Sequence, residues 1–399
     1  MNFMRTIIPK FLLILIFISV SCTKKERNLN KEIIPYVEFL KKENISAKDY
    51  VIDLFEKNDL VVICERFHPE LTQYDLFLEI SKDQRFIENV GNIFIETCGR
   101  NQEEKIDFFI KSENLSIELK DSLVININRN SSLHPLWHNY NFSYFLKGLQ
   151  TINNELQLTK KINLYPSDVT VDWENMDSLK YKEFWKSTGY RDSLMADYII
   201  NKFETIQLGN SDRKKALIIM NYRHAFGNDF MFPDNEKPEN VGRYLFEKYP
   251  NRVANVLLNT LTFGSENEND IIPISDGKWD ASFKYLNKNN IGFDFKKSPY
   301  GNDYFDLWPF TEHNYTYSDV FNGYIYYTQI EKLKLVVGVP NIVDSSFLPE
   351  LKRRNLLVNK ARNANFPIND SILWKYNNKK INDKFITDSI ISQIDKWIK

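Results

Sequence analysis

The chain has almost no net charge, because its 52 lysines and arginines nearly balance its 53 aspartates and glutamates, which leaves a net charge of -1. No long block of one charge sign occurs along its 399 residues. Proteins that bind nucleic acids collect basic side chains into patches that neutralise phosphates. We therefore expect no nucleic-acid partner.

Cysteine is scarce, since the sequence has only Cys22, Cys64 and Cys98. A single pair in the body of so long a chain is not the disulfide framework of a small secreted domain. Cys64 and Cys98 fall at or near predicted strand ends and could be neighbours. The sequence leaves two alternatives, a disulfide between them or two buried free thiols. A cysteine inside a strand is normally buried and protonated, which makes Cys64 a poor nucleophile.

The glycine-rich motifs that bind phosphates and dinucleotides are absent. The segment "GNSDRKK" (209–215) does not have the spacing of a phosphate-binding loop, and no G-x-G-x-x-G sequence occurs. No G-x-S-x-G turn marks a serine hydrolase. Nucleotide-dependent chemistry and a serine nucleophile are therefore poor candidates.

A long apolar run is also missing from the body of the chain. The run "FLLILIFISV" (11–20) follows Arg5 and Lys10 and is short for a permanent membrane span. Small residues then precede Cys22. The pattern predicts a lipoprotein-type signal peptide over residues 1–22 in which Cys22 is the lipidation site; the alternative is ordinary signal cleavage nearby, with Cys22 incidental.

The predicted signal sets the expected location and organisation of the protein. We expect an exported protein, anchored to a membrane through its lipid and facing the periplasm or the cell surface. Residues 23–45 are polar at first and suit a tether followed by a first helix. Residues 46–399 are expected to form a single α/β domain.

Apolar runs recur along the chain, of which 43% is hydrophobic, enough for a sizeable core. The predicted strands are 60–64, 92–97, 162–168, 215–222 and 252–260, with weaker candidates at 291–296 and 323–328. Their nearly continuous apolar character is typical of strands covered on both faces. The sequence therefore predicts an α/β fold with a mostly parallel central sheet and helices on both faces.

Helical patterns lie between these strands. The segment "PELTQYDLFLEISKD" (69–83) predicts a helix with Pro69 in its first turn, and residues 192–206 predict another amphipathic helix. Residues 100–158 keep helical spacing and contain no clear strand. We therefore expect a helical insertion after the second strand.

Titratable side chains stand where four successive predicted strands end. They are Glu65 and His68 after the first strand, Glu96 at the end of the second, Asp168 after the third, and Arg223 and His224 after the fourth. In open α/β sheets, ligands bind beyond the carboxyl ends of the strands. This regularity predicts a functional site at that edge of the sheet.

The residue types suit a hydrolytic centre. A carboxylate such as Glu65 raises the pKa of a neighbouring His68 and orients its ring, which leaves the other ring nitrogen to accept a proton from water or to bind a metal. Glu96 could hold a second position. His224 could supply a second imidazole, and Arg223 a cation for an oxyanion or an anionic substrate group.

Each of these residues also has a purely structural interpretation. His68 alone would more often cap a helix or pack, and Glu65 alone could pair with Arg66. His134 and His138 are four residues apart, as metal ligands on a helix often are, but the intervening Pro135 and the aromatic context favour packing. The hydrolytic interpretation therefore depends on the combination rather than on any single residue.

Several of these segments, taken in order, resemble the erythromycin esterase-like group, which belongs to a superfamily with the ChaN haem-binding lipoproteins and the Tiki metal-dependent proteases. The resemblance covers about residues 58 to 330. It rests on "VVICERFH" (61–68), "NIFIET" (92–97), "INLYPSDV" (162–169), "YRDSLMADYI" (190–199) and "ALIIMNYRHAFG" (216–227), among others.

The resemblance implies a site lined by Glu65, His68, Glu96 and His224, with His68 as the general base toward water. It implies that the protein hydrolyses an ester or amide bond in a small-molecule or peptide substrate. In the Tiki-like alternative, a metal-dependent protease, His68, Glu65 and His224 would bind a divalent metal. In the ChaN-like alternative, a binding lipoprotein, the same pocket would hold haem or a metal.

The resemblance also bears on the residues around this centre. We assign Arg66, Asp168 and Arg191 to substrate binding, and the resemblance places Arg191 and Asp192 in the pocket wall. Cys64 stands where the family usually has a glycine, and a side chain there leaves less room for close backbone approach. The sequence thus departs from the family pattern directly beside Glu65.

Overall fold

The computed structural model describes residues 29–227, 239–265, 270–308, 315–382 and 385–398. The predicted signal peptide and Cys22 lie outside these residues. Within the described residues the strands are β1 (Leu60–Glu65), β2 (Asn92–Gly99), β3 (Asn163–Asp168), β4 (Ala216–Asn221), β5 (Val253–Leu258), β6 (Leu261–Phe263), β7 (Ile271–Pro273), β8 (Ile291–Asp294), β9 (Gly323–Tyr326), β10 (Leu335–Val337) and β11 (Lys380–Asn382).

Seven of these strands form the central sheet, in the order β3-β2-β4-β1-β5-β9-β8. Neighbouring strands are parallel, except that β8 runs antiparallel to β9 at one edge. All seven regions predicted as strands belong to this sheet. The predicted α/β fold with a mostly parallel sheet is confirmed.

Helices surround the sheet. They are α1 (Ile34–Leu40), α2 (Ala47–Leu54), α3 (Thr72–Lys82), α4 (Gln84–Asn89), α5 (Glu103–Lys111), α6 (Ile117–Asn130), α7 (Tyr140–Asn154), α8 (Ser178–Ser187), α9 (Arg191–Leu208), α10 (Val241–Lys248), α11 (Lys278–Leu286), α12 (Tyr317–Val320), α13 (Leu348–Arg362), α14 (Asp370–Leu373) and α15 (Asp388–Asp395). Among the described residues, none of these helices is both long enough and apolar enough to cross a bilayer.

Strand β1 shows why the sheet is covered on both faces. Leu60, Val62 and Cys64 belong to the apolar core on one side of the sheet. Val61 and Ile63 belong to the core on the other side. Since successive side chains of a strand point to opposite faces, a strand buried on both sides needs an unbroken apolar run.

Three helices, α5, α6 and α7, fill the chain between β2 and β3, where the helical insertion was predicted. Helix α3 differs from its prediction, because it begins at Thr72 and leaves Pro69 outside it. The reason is Glu70, whose carboxylate accepts the backbone N–H groups of Thr72 at 2.9 Å and Gln73 at 3.1 Å. These are donors that the first turn of a helix cannot satisfy internally.

Residues 334–338, which we call the strap, include β10 and cross the loop that follows β1. The backbone N–H of Val336 donates to the carbonyl of Pro69 at 2.7 Å, and that of Gly338 donates to the carbonyl of His138 at 2.7 Å. Strand β11 pairs with β10 in antiparallel fashion. A late part of the chain thus ties together two loops that lie beside the ends of the sheet strands.

Candidate functional site

Four adjacent strands deliver polar side chains to one edge of the sheet. Strands β3, β2, β4 and β1 are neighbours, and their carboxyl ends carry Asp168, Glu96, the turn with His224, and Glu65. Parallel strands end at the same edge, so residues far apart in sequence come together there. The structure brings Glu65, His68, Glu96, His224 and Asp168 into one connected group of hydrogen bonds and ion pairs.

Glu65 and His68 form a direct pair. The Nδ1 atom of His68 lies 2.8 Å from Oε2 of Glu65, a carboxylate with no exposed surface. The other oxygen, Oε1, accepts the hydroxyl proton of Tyr74, and the Tyr74 oxygen accepts the amide of Asn141 at 2.7 Å. Because both carboxylate oxygens accept hydrogen bonds, Glu65 holds the ring of His68 with Nδ1 as its donor.

The other nitrogen of His68 faces a cavity. Its Nε2 atom lies 3.8 Å from Oε1 of Glu96, and the ring contacts Trp137 edge-on with 5.4 Å between centroids. Burial lowers the pKa of His68, but the charge and hydrogen bond of Glu65, together with the charge of Glu96, outweigh it and raise that pKa above its ordinary value. His68 is therefore a stronger base than a free imidazole.

Glu96 is the centre of the charged network. Its Oε1 atom accepts Nη2 of Arg191 at 3.0 Å and lies 3.3 Å from Nε2 of His224, while its Oε2 accepts the backbone N–H of Asn221 at 2.8 Å. Burial acts to raise the pKa of Glu96, but the positive charges of His224, His68 and Arg191 hold it well below the ordinary value. Glu96 is ionised at neutral pH.

His224 has a carboxylate on each side. Its Nδ1 atom lies 2.8 Å from Oδ1 of Asp192, and its Nε2 faces Glu96. Burial opposes the charged form, but the two carboxylates raise the pKa of His224 to about 10. His224 is thus an imidazolium at neutral pH, and Asp192, which the sequence placed only in the pocket wall, is the residue that fixes its ring.

Arg191 joins the ends of β2 and β3 from the first turn of helix α9. Its Nε donates to Oδ1 of Asp168 at 2.7 Å, and its Nη2 donates to Glu96. Arg191 and Asp168, which were both predicted to bind substrate, line the cavity. Their opposite charges also neutralise each other, so each of the two side chains has its main polar contacts with other residues of the protein.

Arg66, which was predicted to bind substrate, lies elsewhere. Its side chain is buried, with Nη1 donating to Glu70 at 2.8 Å and Nη2 donating to Asn259 at 2.7 Å. It is not among the residues that line the cavity. The structure thus does not bring Arg66 to the cavity, because the side chain turns into the protein and pairs with the carboxylate that caps helix α3.

The cavity in front of these residues has a volume of about 520 Å³. Its apolar wall includes Phe67, Leu133, Trp137, Phe263, Leu335 and Phe385. Arg223 also lines it, with an exposed side chain. The cavity joins an aromatic surface to the charged network, as small-molecule sites commonly do.

The two remaining described histidines have different surroundings. His138 stacks on Tyr376 with 4.5 Å between ring centroids, which agrees with the packing interpretation. His134 instead lines the cavity, and desolvation, with the charges of Arg362 and Arg191, lowers its pKa to about 4. The sequence interpretation missed His134 because its spacing from His138 gave no sign that the two rings point to different places.

A possible metal site involves Glu65, His68 and Glu96, whose ligand atoms all lie within 4.8 Å of one another. Two carboxylates and one imidazole are a donor set that suits Zn²⁺ and similar divalent ions. The predicted metal set included His224 in place of Glu96. In the structure both nitrogens of His224 face carboxylates, and Glu96 completes the group with Glu65 and His68.

Cys64 and Cys98 are both free, buried thiols. Burial raises the pKa of each thiol above its ordinary value. Of the two alternatives that the sequence left open, the structure has the buried thiols, and neither residue has the environment of a nucleophile.

No family model and no curated protein sequence matches this chain. A solved structure of a Bacillus cereus protein is similar to it with a TM-score of 0.46 and 12% identity, over 73% of this chain and 96% of that one. A mutant of the erythromycin esterase EreC in its open conformation gives a TM-score of 0.44 and 10% identity, over 75% and 96% of the two chains. The type III effector HopBA1 gives 0.33 and 9%, over 57% and 91%.

Proposed function

We propose that this protein is a hydrolase that activates water with Glu65 and His68 to cleave an ester or amide bond. The observation that carries the proposal is the orientation of His68. Its Nδ1 is held by a buried carboxylate at 2.8 Å, while its Nε2 faces a cavity 3.8 Å from Glu96. A base oriented by a carboxylate, with its second nitrogen toward the substrate side, is the arrangement that proton abstraction requires.

The proposed reaction begins with a water molecule that hydrogen-bonds to Nε2 of His68 and to Oε1 of Glu96. His68 takes a proton from this water while the oxygen attacks the carbonyl carbon of the substrate. Glu65 stabilises the imidazolium that forms. His68 then gives the proton to the leaving alcohol or amine, which restores the neutral ring.

Positive charge near the reacting atoms supports this step. His224 is an imidazolium at neutral pH, and Nη1 of Arg191 lies 3.3 Å from its Nε2. Two cations held so close by Glu96, Asp168 and Asp192 form a fixed electrostatic environment for the negative charge that develops on the carbonyl oxygen. We assign this role to His224, which acts through its charge because both of its ring nitrogens already face carboxylates, and we assign Arg223 to substrate binding.

A metal-dependent hydrolase is the second candidate, and one observation favours it. The donor atoms of Glu65, His68 and Glu96 lie within 4.8 Å of one another. A divalent ion bound to them would supply a Lewis acid and a water of lowered pKa. The haem alternative stays a prediction, since no observation on the described residues tests it.

Export and lipid anchoring remain part of the proposal on the strength of the sequence alone. The supporting pattern is the short apolar run behind Arg5 and Lys10, followed by small residues and Cys22. A membrane-anchored hydrolase would act on substrates outside the cytoplasm, either small molecules or peptides.

The test is hydrolysis of 4-nitrophenyl esters and of a fluorogenic peptide amide by the purified chain, with and without a chelator. For His68→Ala we expect kcat to fall by about 10²–10⁴-fold, since that is the usual contribution of a positioned general base. His138→Gln is the matched control, because His138 packs on Tyr376 and does not line the cavity. Its activity should stay close to that of the wild type.

The chelator separates the two candidates. Hydrolysis that survives chelation and is lost in His68→Ala supports water activation by the pair alone. Hydrolysis that is lost on chelation and returns with added Zn²⁺ or Mn²⁺ supports the metal-dependent reaction. If His68→Ala hydrolyses every ester and amide as fast as the wild type does, the proposed centre is wrong.

A further inference from the structure

Arg223 is a cation of the cavity that no carboxylate neutralises among the described residues. Its backbone is fixed, since its N–H donates to Oδ1 of Asn221 at 3.2 Å and its carbonyl accepts Nδ2 of Asn240 at 2.6 Å. Its side chain is exposed and lines the cavity. The guanidinium thus lies at the cavity wall, and no described residue accepts a hydrogen bond from it.

Aromatic rings surround the guanidinium of Arg223. Its Cζ atom lies over the rings of Phe263 at 5.5 Å, Trp308 at 5.8 Å and Tyr222 at 5.9 Å from the ring centroids. Rings attract the face of a guanidinium, whereas its N–H donors point outward in its plane. The rings thus restrict the position of the cation without using the donors that would bind an anion.

The other cations of the cavity are not available in this way. Arg191 donates to both Asp168 and Glu96, and His224 lies between Glu96 and Asp192. An anionic ligand at either one would lose part of its attraction to the negative charge of these carboxylates. Arg223 is the group at which an anion gains a charge-assisted hydrogen bond without such a loss.

Apolar surface continues from Arg223 across the cavity. Phe263, beneath the guanidinium, contacts Phe67 edge-on at 5.6 Å, and Phe67 contacts Phe385 at 5.3 Å. All three rings line the cavity. A ligand that binds Arg223 through an anionic group would place its body against these rings. His68 directly follows Phe67 in the chain, so the ligand would also lie beside His68.

We infer that the substrate is an ester or amide with an apolar or aromatic body and a carboxylate, and that Arg223 binds that carboxylate. This inference rests on the proposed hydrolase and names the substrate class for the same site. The planar guanidinium fits a carboxylate through two parallel N–H donors, which makes Arg223 the residue that sets specificity for an acidic substrate.

The test compares matched pairs of ligands that differ in one carboxylate. For binding, the pair is 5-phenylpentanoate and 5-phenylpentan-1-ol, measured by calorimetry on the purified chain. For hydrolysis, the pair is mono-4-nitrophenyl glutarate and 4-nitrophenyl pentanoate. We expect the wild type to prefer the carboxylate in each pair by about tenfold, as a charge-assisted hydrogen bond would give.

The variants are Arg223→Gln, Arg223→Lys and Arg252→Gln. Arg223→Gln should lose the preference, and Arg223→Lys should keep a part of it, since a lysine retains the charge without the paired donors. Arg252→Gln removes the same charge from an arginine that pairs with Asp59 and does not line the cavity, so the preference should stay. Thermal melting of each variant checks that it folds.

The outcomes separate the inference from the proposed function. If the wild type binds and cleaves both members of each pair equally well, or if Arg223→Gln keeps the preference, the inference is wrong and the hydrolase stands. If the wild type binds 5-phenylpentanoate with preference but cleaves neither ester, the hydrolase is wrong and Arg223 belongs to a carboxylate-binding site. Preferential cleavage of the glutarate ester that depends on Arg223 supports both.

Discussion

His68 and His224 are two imidazoles of one site with different numbers of carboxylate partners. His68 has one hydrogen-bonded carboxylate partner, Glu65, and its second nitrogen faces the cavity 3.8 Å from Glu96. His224 faces a carboxylate with each of its nitrogens. The first can therefore exchange a proton with substrate or water, whereas the second stays charged over the physiological range.

This difference predicts a bell-shaped pH profile of kcat/KM. His68 must be neutral to act as a base, and its pKa is raised above 6.5, so activity should rise with pH through a midpoint above 6.5. His224 must be charged to stabilise the oxyanion, so activity should fall as pH passes its pKa of about 10. The measurement is kcat/KM from pH 5 to 11 at constant ionic strength.

His224→Gln serves as the comparison for this profile. The alkaline limb should disappear in this variant, because glutamine does not titrate, while the acidic limb should stay. An acidic limb with its midpoint well below 6.5 in the wild type would contradict the assignment of His68 as the base, since its folded environment raises rather than lowers that pKa.

At the scale of single residues, the sequence could predict which side chains reach the edge of the sheet. Glu65, Glu96 and His224 follow directly from where parallel strands end. The partner of His224 could not be predicted in this way, because Asp192 lies on helix α9 and its distance from His224 depends on how that helix packs. The direction of Arg66 was likewise decided by a buried partner, Glu70, which only the folded loop reveals.

At the scale of elements, the loop after β1 is held by one carboxylate. Glu70 is fully buried and accepts hydrogen bonds from Arg66, from the first turn of α3 and from the backbone N–H of Lys334 in the strap at 3.1 Å. The residues on either side of it thus have fixed positions. These contacts therefore also help to position His68, which lies two residues before Glu70.

Glu70→Gln should destabilise the protein and weaken catalysis together. The variant leaves the buried guanidinium of Arg66 without an opposite charge, and breaking a buried pair of this kind costs about 3 kcal/mol of unfolding free energy. Urea unfolding followed by tryptophan fluorescence measures this change. A loss of less than about 0.5 kcal/mol, the range of ordinary surface substitutions, would show that Glu70 does not hold the loop.

Glu88→Gln is the control for this substitution. Glu88 pairs with Lys160, and both side chains are about 40% exposed, so removing this pair should change the unfolding free energy far less than Glu70→Gln does. Hydrolytic activity should be unchanged in Glu88→Gln and reduced in Glu70→Gln.

The sequence predicted the central strands better than the C-terminal elements. Strands buried on both faces leave unbroken apolar runs, which are visible without a structure. Helix α13 does not show such a pattern, since its buried face includes Arg354 and Asn355 beside Leu351 and Val358. Strands β10 and β11 have three residues each, too few for an alternation to be recognised.

At the scale of the whole molecule, the predicted anchor has a direct test. In cells labelled with a palmitate analogue, we expect the wild-type chain to carry the label and to sediment with membranes. Cys22→Ala should lose the label and leave the membrane fraction, because a lipid-modified cysteine is the attachment point.

Cys98→Ala is the matched control, since it removes a buried cysteine far from the predicted signal and should keep the label. Labelling of Cys22→Ala to the wild-type level would contradict the predicted lipidation site. Hydrolysis by the purified Cys22→Ala chain should equal that of the wild type, because the anchor takes no part in the chemistry.

The strap has a consequence for how the protein is made. The hydrogen bond between Lys334 and Glu70 joins residues 264 positions apart in the chain. Contacts of such long range form late, because the intervening chain must first be ordered. During synthesis the sheet strands emerge before the segment that fixes the loop of His68, so under the proposed function a newly made chain should stay inactive until its last sixth has joined the fold.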